Sequence, residues 1–343
     1  MLVSKIYERK IQMETKGIIA TTHIDRHGDK IEKEALETLV QAINTQESAI
    51  AVSVEHDGLV MPIGKVLKGN LVQLPDGEFA VTTVQEIFDV HSITPKNSDE
   101  TFYMAGSEQD YRPFADFKIE NTDRLTVSFD PNNFTQKDFT EIKNFLLEED
   151  VEIELEVRKS LIPDPEIVFH LIEGTFICLI GKKVVENLAD DIAADISSCY
   201  RIIKNTILKF AHYSIPANRP KTYRLREQGE YMRELAVRTS DPNVVFEALQ
   251  PDKLEKIDTL IKGTLGQFNV SPAKVQLLYD AGDKEWKLNY LLTTSGQAIG
   301  TEKCYKRTRD LFNSLGHEDG SANVSIAGLN PAVINVVDED DSK

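Results

Sequence analysis

Apolar positions along this chain recur with two periods. A helical period runs through residues 32–44, where Leu36, Leu39, Val40 and Ile43 share one face. It returns in 135–149 (TQKDFTEIKNFLLEE), in 251–265 behind Asp252, and in 301–316, which Gly316 ends. A strand period marks 7–23 and 151–161, the second through Val151, Ile153, Leu155 and Val157. Residues 49–56 are almost wholly apolar until Glu55 and predict a strand buried on both faces. Residues 63–87 predict strands separated at Lys68-Gly69-Asn70 and Pro75-Asp76-Gly77. Two hairpins are expected, one turning at Gln228-Gly229 and one around Ala281-Gly282-Asp283.

These elements group into an α+β chain. Residues 1–91 are expected as a mostly-β domain with one early helix. Residues 92–123 are polar and irregular, a linker or a flap, with the linker favoured. Residues 124–316 predict a separate mixed α/β domain. It opens with a strand-helix-strand unit (RLTVSFDP, the 135–149 helix, VEIELEVRKSL) of crossover length. Pro163 and Pro165 then introduce a long helical region over about 166–213, broken at Gly181. Residues 317–343 predict a solvated tail ending in VVDEDDSK.

The net charge of −17 narrows the partners. A surface this acidic repels phosphates, so nucleic-acid binding is not expected. Protein substrates or protein partners are, and homo-oligomerisation stays open. Cys178, Cys199 and Cys304 show no CxxC and no metal-ligand spacing, which fits reduced thiols in the cytoplasm. The longest apolar run, Ile167 to Ile180, is about 14 residues and carries His170 and Glu173, short of the roughly 20 that span a bilayer. A buried core helix is expected there. The N-terminus lacks the apolar core of a signal peptide. No phosphate-binding or dinucleotide fingerprint is present, so no cofactor and no metal are expected.

The candidate chemistry lies near His56. It ends an apolar strand, adjoins Asp57, and precedes Pro62-Ile63-Gly64-Lys65, so a rigid element would hold a titratable ring within reach of solvent. An apolar strand running into Asp25-Arg26-His27-Gly28-Asp29, the helix after it, and the His56-Asp57 pair before Pro62-Ile63-Gly64 together resemble the tailed-phage prohead serine proteases. Those capsid-maturation enzymes are related to the herpesvirus assemblins, and the resemblance covers roughly residues 10–90. It implies His56 as catalytic base and a serine on a later strand as nucleophile. Ser128, in Leu125-Thr126-Val127-Ser128-Phe129, is favoured over Ser107, which follows Gly106 in the irregular segment. Ser128 departs from the family pattern because no glycine separates it from Phe129. The third member is unassigned: Asp57 points away from a neighbouring residue on a strand, and Asp25 and Asp29 suit turn capping.

Two functions follow. One is a prohead-protease-like serine peptidase fused to a sensing or partner-binding domain. The other is a catalytically inactive protease-like fold acting as a scaffold or regulatory module, for which bacterial phage defence is a consistent setting. The basic positions Lys303, Lys306, Arg307 and Arg309 suit local salt bridges, with the acidic tail as one candidate partner.

Overall fold

The computed structural model describes residues 13–24, 30–45, 47–54, 57–95, 100–115, 124–155, 164–179, 190–215 and 219–314. Strands β1 (Met13–Thr21), β2 (Ala51–Val52), β3 (Gly64–Gln73) and β4 (Phe79–Ile87) form an antiparallel sheet in the order β1-β4-β3-β2. Helix α1 (Lys33–Thr45) packs on it, burying Leu36 and Ile43 against Val52, Val66 and Val81. The helix forms where its spacing predicts. The expected break at Lys68-Gly69-Asn70 does not: β3 runs through it, and Gly69 instead lets Ile43 of α1 approach the strand closely.

The second sheet has ten strands: β5 (Val90–Ile93), β6 (Phe102–Gly106), β7 (Thr126–Phe129), β8 (Glu152–Leu155), β9 (Glu166–Leu171), β10 (Lys221–Gln228), β11 (Met232–Thr239), β12 (Pro272–Asp280), β13 (Glu285–Thr293) and β14 (Gln297–Thr301). Their spatial order is β5-β6-β14-β13-β12-β11-β10-β9-β7-β8. Residues 92–123 therefore do not simply link two domains. The β5–β6 hairpin within and beside them pairs with β14, at Ala105 opposite Ala298. The Ile167–Ile180 run is a second correction. Its first part is β9, buried at every position, followed by the short helix α3 (Thr175–Leu179). Among the described residues no helix is long and apolar enough to cross a membrane.

Helices α2 (Gln136–Glu148), α4 (Asp190–Tyr213), α5 (Pro242–Ala248) and α7 (Ile257–Phe268) cover one face of this sheet. The core between them is apolar; Phe129, Phe134 and Phe210 meet edge to face. Strands β9 to β10 and β11 to β12 are parallel pairs that step the same way across the sheet, while β10 and β11 are antiparallel. Their crossover helices share one face, so the two crossovers have opposite hands and one departs from the right-handed rule. The short helix α6 (Pro251–Leu254) lies in the second crossover, and α8 (Glu302–Ser314) follows β14 on the opposite face. There Tyr305 stacks on Tyr103 of β6.

Candidate functional site

Side chains alternate across a strand, so the face of the large sheet turned away from α2, α4, α5 and α7 can be read from register. Thr126 and Ser128 of β7, Glu166 and His170 of β9, Thr222, Arg224 and Arg226 of β10, Glu234 of β11, and Lys274 and Gln276 of β12 all lie on it. The β12–β13 pairing is irregular between Gln276, which lies opposite Tyr290, and Leu277, which lies opposite Leu288. Asn289, skipped by that shift, turns its side chain to Gln276 beside Tyr290. The result is a polar face, almost all of it buried.

Glu234 is its centre, fully buried and paired with Arg224 at 2.7 Å, Arg226 at 2.5 Å and Lys274 at 3.1 Å. Burial alone would raise its carboxyl, but Arg224, Lys274 and Arg226 outweigh it and hold the group well below the ordinary carboxylate range. Arg224 also pairs with Glu166 at 2.9 Å. Gln276 donates to Glu234.

The turn that follows His56 roofs this cluster. The Gly58 carbonyl accepts from Gln276 Nε2 at 2.7 Å, and the Leu59 carbonyl accepts from Asn289 Nδ2 at 2.9 Å. Gly58 lies so close to Arg224 and Glu166 that a β-carbon there would overlap both side chains. Asp57 accepts from the Leu59 amide at 2.8 Å and pairs with Arg307 of α8 at 2.7 Å. That occupies Asp57 in its own turn and in a tie from that turn to α8. Lys303 of α8 pairs with Asp280 at 3.0 Å, so two of the expected basic positions make local salt bridges within the fold. Cys304 faces the Leu59 carbonyl, and burial pushes its thiol up to about 12, too high to supply a thiolate nucleophile.

His56 itself lies outside the described residues, as do Asp25 and Asp29. Ser128 is described, and the ring it meets is His170, with Nε2 3.0 Å from Oγ. The hydroxyl also reaches Glu154 Oε2 on β8 at 2.8 Å. A hydroxyl has one proton and an ionised carboxylate can only accept, so that proton goes to Glu154. Ser128 Oγ must then accept from His170 Nε2–H. This polarity is the reverse of a serine activated by a histidine, which needs a bare ring nitrogen. Ser128 is also 0% exposed, leaving no approach for a peptide carbonyl.

Ser107 is occupied too. Its hydroxyl donates to the buried Glu86 of β4 and accepts from the Gln109 and Asp110 amides at 3.0 and 2.7 Å. It thereby starts a strap, residues 107–115, that ties the two sheets together. The strap closes on Lys65 of β3, which is fully buried and donates to the Asp110 and Arg112 carbonyls at 2.7 and 2.5 Å. Burial pulls the Lys65 ammonium down to about 8 against the opposing pull of Asp110. Among the described residues no three His, Cys, Asp or Glu side chains converge as a metal would need.

Comparison with family models, curated proteins and solved structures finds no match. The prohead-protease resemblance therefore rests on its three sequence segments.

Proposed function

We propose that this chain is a non-catalytic, protein-binding or regulatory module in which the protease-like N-terminal region serves as scaffold. The observation that carries the reading is the commitment of each candidate serine: both hydroxyls are buried and both give their proton to a carboxylate. The charged groups on the polar face point the same way, since they pair with one another and with the 57–61 turn instead of lining an open cleft.

The test is fluorophosphonate labelling of the full chain, with Ser128→Ala, Ser107→Ala, His56→Ala and His170→Ala beside it. Wild type is expected to label no more than the serine variants. One specific contact favours a second reading, a serine hydrolase using Ser128 with His170 in place of His56. Labelling that disappears in both Ser128→Ala and His170→Ala would establish that reading and remove the first.

A further inference from the structure

Strand β8 lies at the end of the ten-strand order, and no described residue pairs with its outer edge. It is parallel to β7, with Glu152 opposite Thr126 and Glu154 opposite Ser128, and the Glu152 amide donates to the Leu125 carbonyl at 3.0 Å. In a parallel ladder alternate residues bond to the same neighbour. Glu152 and Glu154 therefore bond inward to β7, and the amides and carbonyls of Ile153 and Leu155 point outward. The pleat sorts the side chains the same way. Glu152 and Glu154 stand exposed at the rim of the polar face, and Leu155, on the helix-covered face, is 47% exposed. Helix α2, which packs on β8, exposes Leu147 at 57%.

We propose that this edge is the docking site of an extended segment from a protein partner in which basic and apolar residues alternate. Added as an eleventh strand, that segment would bond to Ile153 and Leu155, set its basic side chains beside Glu152 and Glu154, and lay its apolar ones toward Leu155 and Leu147. A second copy of this chain does not fit, because pairing β8 with itself sets glutamates against glutamates. The inference rests on the reading of the chain as a partner-binding module and gives that partner a pattern.

The experiment is fluorescence anisotropy of the full chain with a short labelled peptide alternating lysine and valine. The matching glutamate–valine peptide is the control. The lysine peptide is expected to bind and the glutamate peptide not. Glu152→Lys should weaken binding at least about threefold, one reversed cross-strand pair. Leu155→Pro removes one outward amide without touching the ladder to β7 and should weaken it by about fivefold or more at an unchanged melting temperature. No binding of the lysine peptide, or equal binding by wild type and Leu155→Pro, overturns the docking site. Either result leaves the non-catalytic reading standing if the fluorophosphonate does not label; labelling removes that reading whatever the peptide does.

Discussion

Lys65 offers a quantitative check on the joint between the two sheets. Its ammonium is buried with two strap carbonyls as hydrogen-bond acceptors, and burial brings its pKa from 10.5 to about 8. The folded state thus releases the proton first. Between pH 8 and 10.5 the unfolded chain binds more protons at this site than the folded one, so stability rises with pH across that window. Two and a half units at about 1.36 kcal/mol each give a gain of about 3 kcal/mol. Below pH 8 the lysine is charged in both states and this contribution is flat. Lys65→Met keeps a similar length and cannot titrate. Other groups that titrate in the window are common to both proteins and cancel in the difference. Urea unfolding, followed by Trp286 emission and by circular dichroism, would be measured for both from pH 7 to 10.5. Wild type should gain about 3 kcal/mol relative to Lys65→Met, with the steepest change above pH 8. A difference that stays constant across the window would refute the buried, proton-shedding lysine, and with it the tight closure of the strap.

Other expectations follow from the polar face. Gly58→Ala should cost about 2–4 kcal/mol in urea unfolding, since the turn must lift and strand the buried donors of Gln276 and Asn289. Glu234→Gln leaves three cations around a neutral group and should cost about 3 kcal/mol or more at pH 7. Because the folded carboxyl sits below its ordinary value, that deficit should shrink as acid protonates the wild-type group, and a deficit independent of pH would contradict the pairing. Ser128→Ala breaks the His170–Ser128–Glu154 chain and should cost about 1–2 kcal/mol, visible as faster amide exchange in β7 and β8.

Elements built on local contacts were the ones legible in the sequence. The α1 stripe, the β10–β11 and β12–β13 hairpins and the β7–α2–β8 unit depend on neighbours within a few dozen residues, and their periods announce them. Strand β9 reads as helix because Ile167-Val168-Phe169 is apolar on both faces and Val168 interrupts the polar alternation of Glu166 and His170, while the apolar run continues to Ile180. The β5–β6 hairpin is not legible in the sequence because its partner β14 lies far along the chain, and polar loops flank it. Within the candidate site, Ser128 is legible on its own strand, and its neighbours are not. His170, Arg224, Glu234, Lys274 and Gln276 each occupy the polar positions of an alternating strand, the pattern of a solvated face. What buries several of them is the turn at 57–61, more than a hundred residues upstream. One signal is present: Arg226 of β10 stands directly opposite Glu234 of β11, with Arg224 on the diagonal, opposite Ala236.

The pairing of β6 with β14 also sets a timetable for synthesis. A ribosome adds roughly 5–20 residues per second. Gln297, which will lie opposite Gly106, emerges about 190 residues after it, so the β5–β6 hairpin waits roughly 10–40 s for its neighbour. Throughout that interval the β6 edge is unsatisfied, and a nascent chain halted anywhere before β14 presents it to whatever binds strands first.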